Sequence, residues 1–445
     1  MLSNNKTESS TKPLSRNTYI DSILWGGQRW SDNTITYSFN SGSFSDGKTD
    51  WSEGERKVIE EALASWESVA NIEFERVEDD DPDANFKFNL SLDLPEDILG
   101  MFNPPGEPGA GEGYFNWQEL GGIDFEDLKP GSEGFLVIVH EIGHGLGLAH
   151  PHDEAGGSDV FPGLYSTLFP EESFGTNELN QGVWTTMSYN QGFDGAGFQG
   201  SPMAFDIAAI QHLYGENPNF AKDNNTYTLP RYNGKDTYYK GIWDTDGIDT
   251  IVTPSTFGDA TIDLRDASLE GYSAGGHISS VKNIDGGFTI ANGVEIENAK
   301  GSSGNDKITG NKLKNKLIGN VGADTLTGGE GHDTLLGGRG DDVLRGSDPG
   351  EFESGAGEFD RLTGNAGADT FVLGDVVEAY YGGSGYATIT DFDWREDDLI
   401  RLSGSSADYT LDKKSDGTFI KKGKDTIAFV EGDEELLFSA DFEFV

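Results

Sequence analysis

The chain has 445 residues, too many for one ordinary core, so two or three domains are expected. Its 31 basic and 78 acidic residues give a formal net charge of -47, which argues against nucleic acid or an anionic membrane as partner, because both repel such a chain. Hydrophobic content of 35% excludes a disordered acidic polymer, and the lack of cysteine excludes disulfides, thiolate metal sites and cysteine nucleophiles.

Residues 1–18 are polar, lack the apolar stretch of a secretory signal, and read as a flexible leader or short propeptide. The alternation over Thr34 to Phe39, ending at Asn40-Ser41-Gly42, predicts a strand and a turn. Ser52 and Glu55 form a capping box. Val58, Ile59, Ala62, Leu63, Trp66, Val69 and Ala70 follow at helical spacing, so a long amphipathic helix is predicted with Trp66 in the core. Ile72 to Val77 and Asn85 to Leu92 read as strands, and 100–133 as a looser Gly/Pro-rich stretch. A second helix is predicted from about Gly134 to Leu146. A third starts at Ser201-Pro202 and stops at Gly215, with Met203, Ile207, Ile210 and Leu213 on its apolar face. Helical signals largely stop after Asn217, and from about Tyr227 onward short β segments alternate with glycines. A domain boundary is therefore placed between 215 and 235. No apolar run is long enough to span a bilayer.

Residues 140–150 read HEIGHGLGLAH. His140 and His144 are four apart, so on a helix they lie about 40° apart on one face and can grip one tetrahedral metal. Glu141 sits beside that stripe, within reach of a metal-bound water. Gly147 can end the helix in a left-handed conformation, and the chain can then swing His150 under the metal. Three nitrogens leave a fourth position for water, the arrangement of a catalytic zinc. Three of the seven histidines fall in this window, which a structural helix would not require.

The eleven residues resemble the metzincin zinc endopeptidases. Trp184-Thr185-Thr186-Met187-Ser188-Tyr189 fits that family's methionine turn, and Met187-Ser188-Tyr189 looks like the serralysin branch. His150-Pro151 and Asp206 to Gly215 (DIAAIQHLYG) continue the likeness. The resemblance implies zinc on His140, His144 and His150. It also implies that Tyr189 binds the zinc or steadies the tetrahedral intermediate, with Glu141 as general base. His152 departs from the pattern, standing where the family usually has glycine; it can be a surface residue or a residue at the rim of the site, and the surface is the expectation. His212 and His277 are assigned no role.

Glycine, at 62 residues, is about twice its usual ~7% share, which signals repeats. From Gly301 the chain can be written in nines: GSSGNDKIT, GNKLKNKLI, GNVGADTLT, GGEGHDTLL and GGRGDDVLR. After an interrupted stretch, GNAGADTFV returns in phase at Gly364. Position six holds Asp306, Asn315, Asp324, Asp333, Asp342, Glu351, Asp360 and Asp369. Position eight holds Ile308, Leu317, Leu326, Leu335, Leu344, Glu353, Leu362 and Phe371. A flexible linker has no reason to keep an apolar residue at one phase. The period predicts a solenoid in which each nine is a glycine-rich loop and a short strand, the apolar residue stacking inward. Loop carbonyls and aspartates then enclose a hard cation, Ca²⁺ rather than zinc. This matches the pattern of RTX parallel β-rolls. The expected calcium ligands are Ser302, Gly304, Asp306, Asn320, Gly322, Asp324, Gly329, Gly331, Asp333, Gly338, Gly340, Asp342, Asp360 and Asp369; Leu313 and Asn315 depart from the pattern. Trp243 to Thr250 and Gly293 to Ala299 resemble serralysin segments that bind calcium, which implies Asp246, Gly247, Asp249, Glu295 and Glu297 as further ligands.

The expected fold class is α+β: a metzincin catalytic domain over 19–220, followed by an all-β parallel β-roll over 235–445. The implied protein is a secreted zinc endopeptidase stabilised by calcium, acting on protein or peptide substrates outside the cell, and expected to be monomeric. The C-terminal SADFEFV resembles tails read by type I secretion machinery, and a proteinaceous inhibitor is a further expected partner. The roll is expected to stay largely unfolded until it meets calcium. The alternative is a non-catalytic, calcium-dependent adhesin or matrix protein with a relic metal site, which the repeats alone would favour.

Overall fold

The computed structural model describes residues 8–42, 50–91, 94–95, 98–116, 128–164, 169–190, 197–234, 237–254, 258–348, 354–432 and 435–445. Strand β1 (Ser9–Thr11) precedes the short helix α1 (Thr18–Ser22), whose N-cap Asn17 accepts from the backbone of Tyr19 and Ile20. Strand β2 (Gln28–Trp30) pairs antiparallel with β1. From residue 8 the expected flexible leader is therefore structured. His212, at the far end of the domain's sequence, holds it by donating from Nε2 to Pro13 O at 2.8 Å. The first seven residues of that leader lie outside the described residues.

Next come β3 (Thr34–Asn40), α2 (Glu53–Val69), β4 (Glu73–Arg76), β5 (Phe86–Ser91), β6 (Gly100–Phe102) and β7 (Glu112–Asn116). The strands form one sheet in the order β4-β3-β5-β7-β6, parallel except for β6 at the edge. Strands β6 and β7 occupy the stretch read from sequence as a loose loop. Phe39, Phe86, Phe88 and Phe115 are wholly buried on this sheet. Each fully buried side chain of this size contributes roughly 1.5–3 kcal/mol.

Ser52 and Glu55 form the reciprocal cap at the start of α2. Trp66 on α2 is fully buried and donates from Nε1 to Val139 O of α3 (Glu133–Leu146) at 3.2 Å, which locks the two helices together. Nearly every residue of α3 is buried, so this helix runs through the core rather than along its edge. The last helix, α4 (Ala204–Tyr214), starts two residues after the Ser201-Pro202 pair expected to open it, because the Asp206 carboxylate accepts from Met203 N at 2.8 Å and fixes the first turn there.

Beyond α4 the described chain winds through two sheets, each of ten strands. Through the nine-residue repeats, successive strands in one sheet are parallel and eighteen residues apart, as Ile308 faces Leu326 and Leu317 faces Leu335, whereas 260–290 and 409–431 include antiparallel pairs. Across the interrupted stretch the step is twenty-seven: Leu335 faces Leu362, and Leu344 faces Phe371. Ile308, Leu317, Leu326, Leu335, Leu344, Leu362 and Phe371 are all fully buried between the sheets, the inward column that the nine-residue period requires. Glu351 and Glu353, which break the pattern, lie outside the described residues. The terminal strand Phe442–Phe444 adds in parallel to Leu399–Leu402. Among the described residues no helix is long and apolar enough to cross a membrane.

Candidate metal centre

Helix α3 carries His140 and His144 on one face, and its end delivers the third histidine. Gly147 closes the helix at φ 106°, a conformation that L side chains rarely adopt. Trp25 N then donates to Gly147 O and Ala149 N donates to Ile23 O, so the turn is tied to the segment after α1. Below the site, the Met187 side chain is fully buried. A Cβ on Gly143 would stand 2.8 Å from Met187 Sδ and 3.2 Å from the Trp66 ring, so only glycine lets the helix approach the methionine turn.

The Nε2 atoms of His140, His144 and His150 lie 3.0–3.1 Å from one another. Each Nδ1 has an acceptor: Thr186 O at 2.8 Å for His140, Leu148 O at 2.9 Å for His144, and Asp153 Oδ2 at 2.6 Å for His150. Carbonyl and carboxylate oxygens accept only, so each Nδ1 carries the proton. Three Nε2 lone pairs therefore converge on one point with no proton between them, an arrangement that calls for a cation. A tetrahedral ion at ~2.1 Å from each nitrogen sets its ligands about 3.4 Å apart, close to the spacing found. The residues fit zinc. Burial, followed by the neighbouring imidazoles, lowers His140 to about 3 and His144 well below its ordinary range, so both stay neutral and able to ligate.

Glu141 lies beside the triad, and its Oε2 is buried without a hydrogen-bond partner. Burial pushes its carboxyl up to about 8. Strand β6 passes directly over it, since a Cβ on Gly100 would meet Glu141 Cγ at 2.8 Å. The Tyr189 ring is 55% exposed and stands 4.6 Å from the His150 ring and 5.9 Å from His140. Partial burial, then the carboxyls of Glu141 and Asp153, raise its hydroxyl to about 12. A cavity of about 290 Å³ opens beside His140, Glu141 and Tyr189, with Leu99, Leu136 and Val137 among its walls.

Two supporting residues escaped the sequence reading. Asp153 orients His150; burial opposes its charge, but hydrogen bonds from His150 and from Ala155 N–H hold its carboxyl below the usual range. Asp206 on α4 is fully buried and accepts from Thr185 Oγ1 at 2.6 Å and Thr186 N at 2.7 Å. It thereby anchors Thr186, the residue whose carbonyl orients His140. Asp153, three residues after His150, and Asp206, in the first turn of α4, were visible as spacings but not as contacts. His152 corrects an expectation. It is 9% exposed rather than at the surface, because its ring is stacked flat on His150.

In the roll, two columns of aspartates run along the loops. Asp306 N donates to Asp324 Oδ1, Asp324 N to Asp342 Oδ1 and Asp342 N to Asp369 Oδ1, at 2.7–2.9 Å. On the other side Asn315 N donates to Asp333 Oδ1 and Asp333 N to Asp360 Oδ1. The Oδ2 atoms of Asp324, Asp333, Asp342 and Asp369 are buried with no partner. Asp306 Oδ2 accepts from Ser302 N, and Asp360 Oδ2 from the Tyr381 hydroxyl. Asn315 is satisfied by Asn311 and Glu297 O, which accounts for its departure from the repeat. Ser302, Gly304, Gly322, Gly329, Gly331 and Gly340 lie in the turns near these carboxylates, while Asn320 and Gly338 pair with each other within strands Lys316–Val321 and Thr334–Arg339. Upstream, Asp249 N donates to Glu297 Oε2 at 2.7 Å, and Asp246 and the unforeseen Asp244 lie close enough to raise the buried Asp249 carboxyl, behind burial itself. Gly247 packs on Asp249. Glu295 is not brought to this group; it lines a separate cavity with Arg265 and Lys312.

Residues 29–166 match the matrixin family of peptidases, and residues 205–412 match the serralysin C-terminal family. The chain belongs to the serralysin-type metzincins. A serralysin of Proteus mirabilis is 30% identical over 314 residues, covering 63% of this chain and 60% of that protein. Serralysin C of Dickeya chrysanthemi is 29% identical over 327 residues, covering 68% and 64%. A metallopeptidase of Pseudomonas marginalis is 30% identical over 272 residues, covering 57% and 53%. The matched region thus spans between about half and two thirds of the length of these relatives. The serralysin-type fold is the expected α+β domain followed by a β-roll.

Proposed function

We propose that the chain is a secreted, calcium-stabilised zinc endopeptidase that hydrolyses peptide bonds in proteins. The convergence of three unprotonated imidazole nitrogens beside the buried Glu141 carries this reading. Zinc bound there would supply Lewis-acid polarisation of the scissile carbonyl and activation of a water. Glu141 Oε2 takes the proton of the attacking water as its oxygen bonds to the carbonyl carbon. Glu141 then delivers that proton to the leaving amide nitrogen as the C–N bond breaks. Burial raises this carboxyl in the metal-free site, and the positive charge of bound zinc would favour its ionised, proton-accepting form. The Tyr189 hydroxyl, protonated up to about 12, donates to the oxyanion, a contact worth a few kcal/mol at roughly 2.7–4. Asp153 and Asp206 keep the imidazoles in the required tautomer.

The partnerless Oδ2 atoms of Asp324, Asp333, Asp342 and Asp369 support calcium in the roll, since an oxygen-only cradle suits a hard cation. The remaining proposed ligands are the other loop residues and Asp246, Asp249 and Glu297; Glu295, which lies apart from them, is left out. Export by type I machinery to the extracellular space, and capture by a proteinaceous inhibitor, complete the proposal.

Casein digestion tests it. The zinc-loaded chain should digest casein, a chelator should stop digestion, and added zinc should restore it. Glu141→Ala should keep fold and zinc while losing roughly 10²–10⁴ in rate. A zinc-loaded chain that binds surfaces in calcium but cleaves nothing would make it an adhesin.

A further inference from the structure

Among the described residues, His152 is an aromatic side chain at the site that the mechanism leaves unused. Its neighbour Tyr189 is more than half exposed, and among the described residues no hydrogen bond fixes the Tyr189 hydroxyl. The position of the tyrosine rests on ring contacts with His140, His150 and His152. The first two are held by their own Nδ1 hydrogen bonds. His152 is held differently: its ring lies on His150 at a centroid distance of 4.9 Å and an interplanar angle of 10°, and it meets the Tyr189 ring at 4.7 Å and 56°. Its Nδ1 is buried with no hydrogen-bond partner. What His152 offers Tyr189 is therefore a ring contact, the two rings tilted at 56°.

His150, His152 and Asp153 also place ligand atoms within 4.8 Å of one another. A second cation there would have to break the 2.6 Å hydrogen bond between His150 Nδ1 and Asp153 Oδ2 that sets the tautomer of the third ligand. The three rings, not a second metal, make use of this corner.

We propose that His152 is a positioning residue, whose ring, stacked on His150, holds Tyr189 where its hydroxyl can meet the oxyanion. The proposal rests on the endopeptidase reading given above. The physical basis is preorganisation. A half-exposed tyrosine has several rotamers, and a neighbouring ring that restricts it before substrate arrives removes that ordering from the activation step. An oxyanion contact exists only in the transition state, so the effect falls on kcat and not on KM.

The test uses the zinc-loaded full chain and a fluorogenic peptide. His152→Gly should lower kcat roughly tenfold, the order expected for loss of a stacked-ring contact, with KM unchanged within about twofold. His152→Phe keeps the ring face without nitrogen and should recover to within about threefold of the parent. In a Tyr189→Phe background, His152→Gly should have no further effect, because there is no hydroxyl left to position. A readout without turnover comes from ¹³C-labelled tyrosine. The Tyr189 signal, assigned by its loss in Tyr189→Phe, should be displaced by ring currents, collapse toward that of free tyrosine in His152→Gly, and persist in His152→Phe. An unchanged kcat or an unmoved Tyr189 signal in His152→Gly would overturn the proposal. So would a change confined to KM, or a His152→Phe as impaired as His152→Gly. A parent chain that binds zinc and cleaves no peptide refutes the endopeptidase reading instead, and the tyrosine signal still decides the positioning role.

Discussion

Removing calcium should make the stability of the roll depend steeply on pH. In the cation-free chain, burial raises the Asp342 and Asp369 carboxyls from 3.8 to about 7, Asp324 to about 6 and Asp333 to about 9. A carboxyl whose folded value lies above its unfolded value is stabilising below about pH 4, and that contribution is lost as pH rises through the folded value. For Asp342 alone the loss is on the order of 4 kcal/mol, and Asp369 adds a similar amount. Two such groups rival the 5–15 kcal/mol that holds a whole domain. The assay is urea unfolding followed by circular dichroism in a chelator between pH 5 and 8.5, repeated with millimolar calcium. In chelator the midpoint should fall as pH rises and the β signal should be lost near neutrality. Calcium should flatten the profile, because the cation takes the place of the proton. Asp342→Asn should reduce the slope by about one proton, or ~1.4 kcal/mol per pH unit, which separates these carboxyls from general charge repulsion. A chelated chain equally stable at pH 5 and 8.5, or a slope untouched by Asp342→Asn, refutes the reasoning.

Asp206→Ala should weaken zinc binding roughly 10–100-fold in a competition titration, since the Thr186 carbonyl that orients His140 loses its anchor. Gly143→Ala should destabilise the folded chain by about 1–3 kcal/mol in urea, because the new methyl meets Met187 Sδ at 2.8 Å. Acidification should act through His140. Its folded value, about 3, lies below the ordinary 6.5, so its contribution to stability is intact above pH 6.5 and declines as pH falls toward 3. Zinc release and loss of near-ultraviolet dichroism should therefore coincide over that range.

The parts of the structure written in local patterns were legible in the sequence. The helix carrying His140 and His144 follows from their spacing, the turn at Gly147 from its backbone freedom, and the roll from an apolar residue at one phase in nine. What was missed depends on distant partners. Gly100–Phe102 and Glu112–Asn116 are short and glycine-bearing, and become strands only because Glu112–Asn116 pairs with Phe86–Ser91. The segment from residue 8 looked like a leader because nothing local reveals its pairing with Gln28–Trp30. His152 looked like a surface residue because its partners, His150 and Tyr189, meet only after the methionine turn folds back under the helix. Asp206 reads as an ordinary first-turn acid, and its contact with Thr185 and Thr186 crosses about twenty residues of chain.

The most direct test of the central claim is a zinc titration of the metal-stripped chain, with bound zinc and peptide hydrolysis measured on the same samples. Hydrolysis should rise in proportion to zinc and level off at one equivalent, and alanine at His140, His144 or His150 should abolish both the tight binding and the activity. Hydrolysis that proceeds without zinc, or tight zinc binding that survives loss of one of the three histidines, would contradict it.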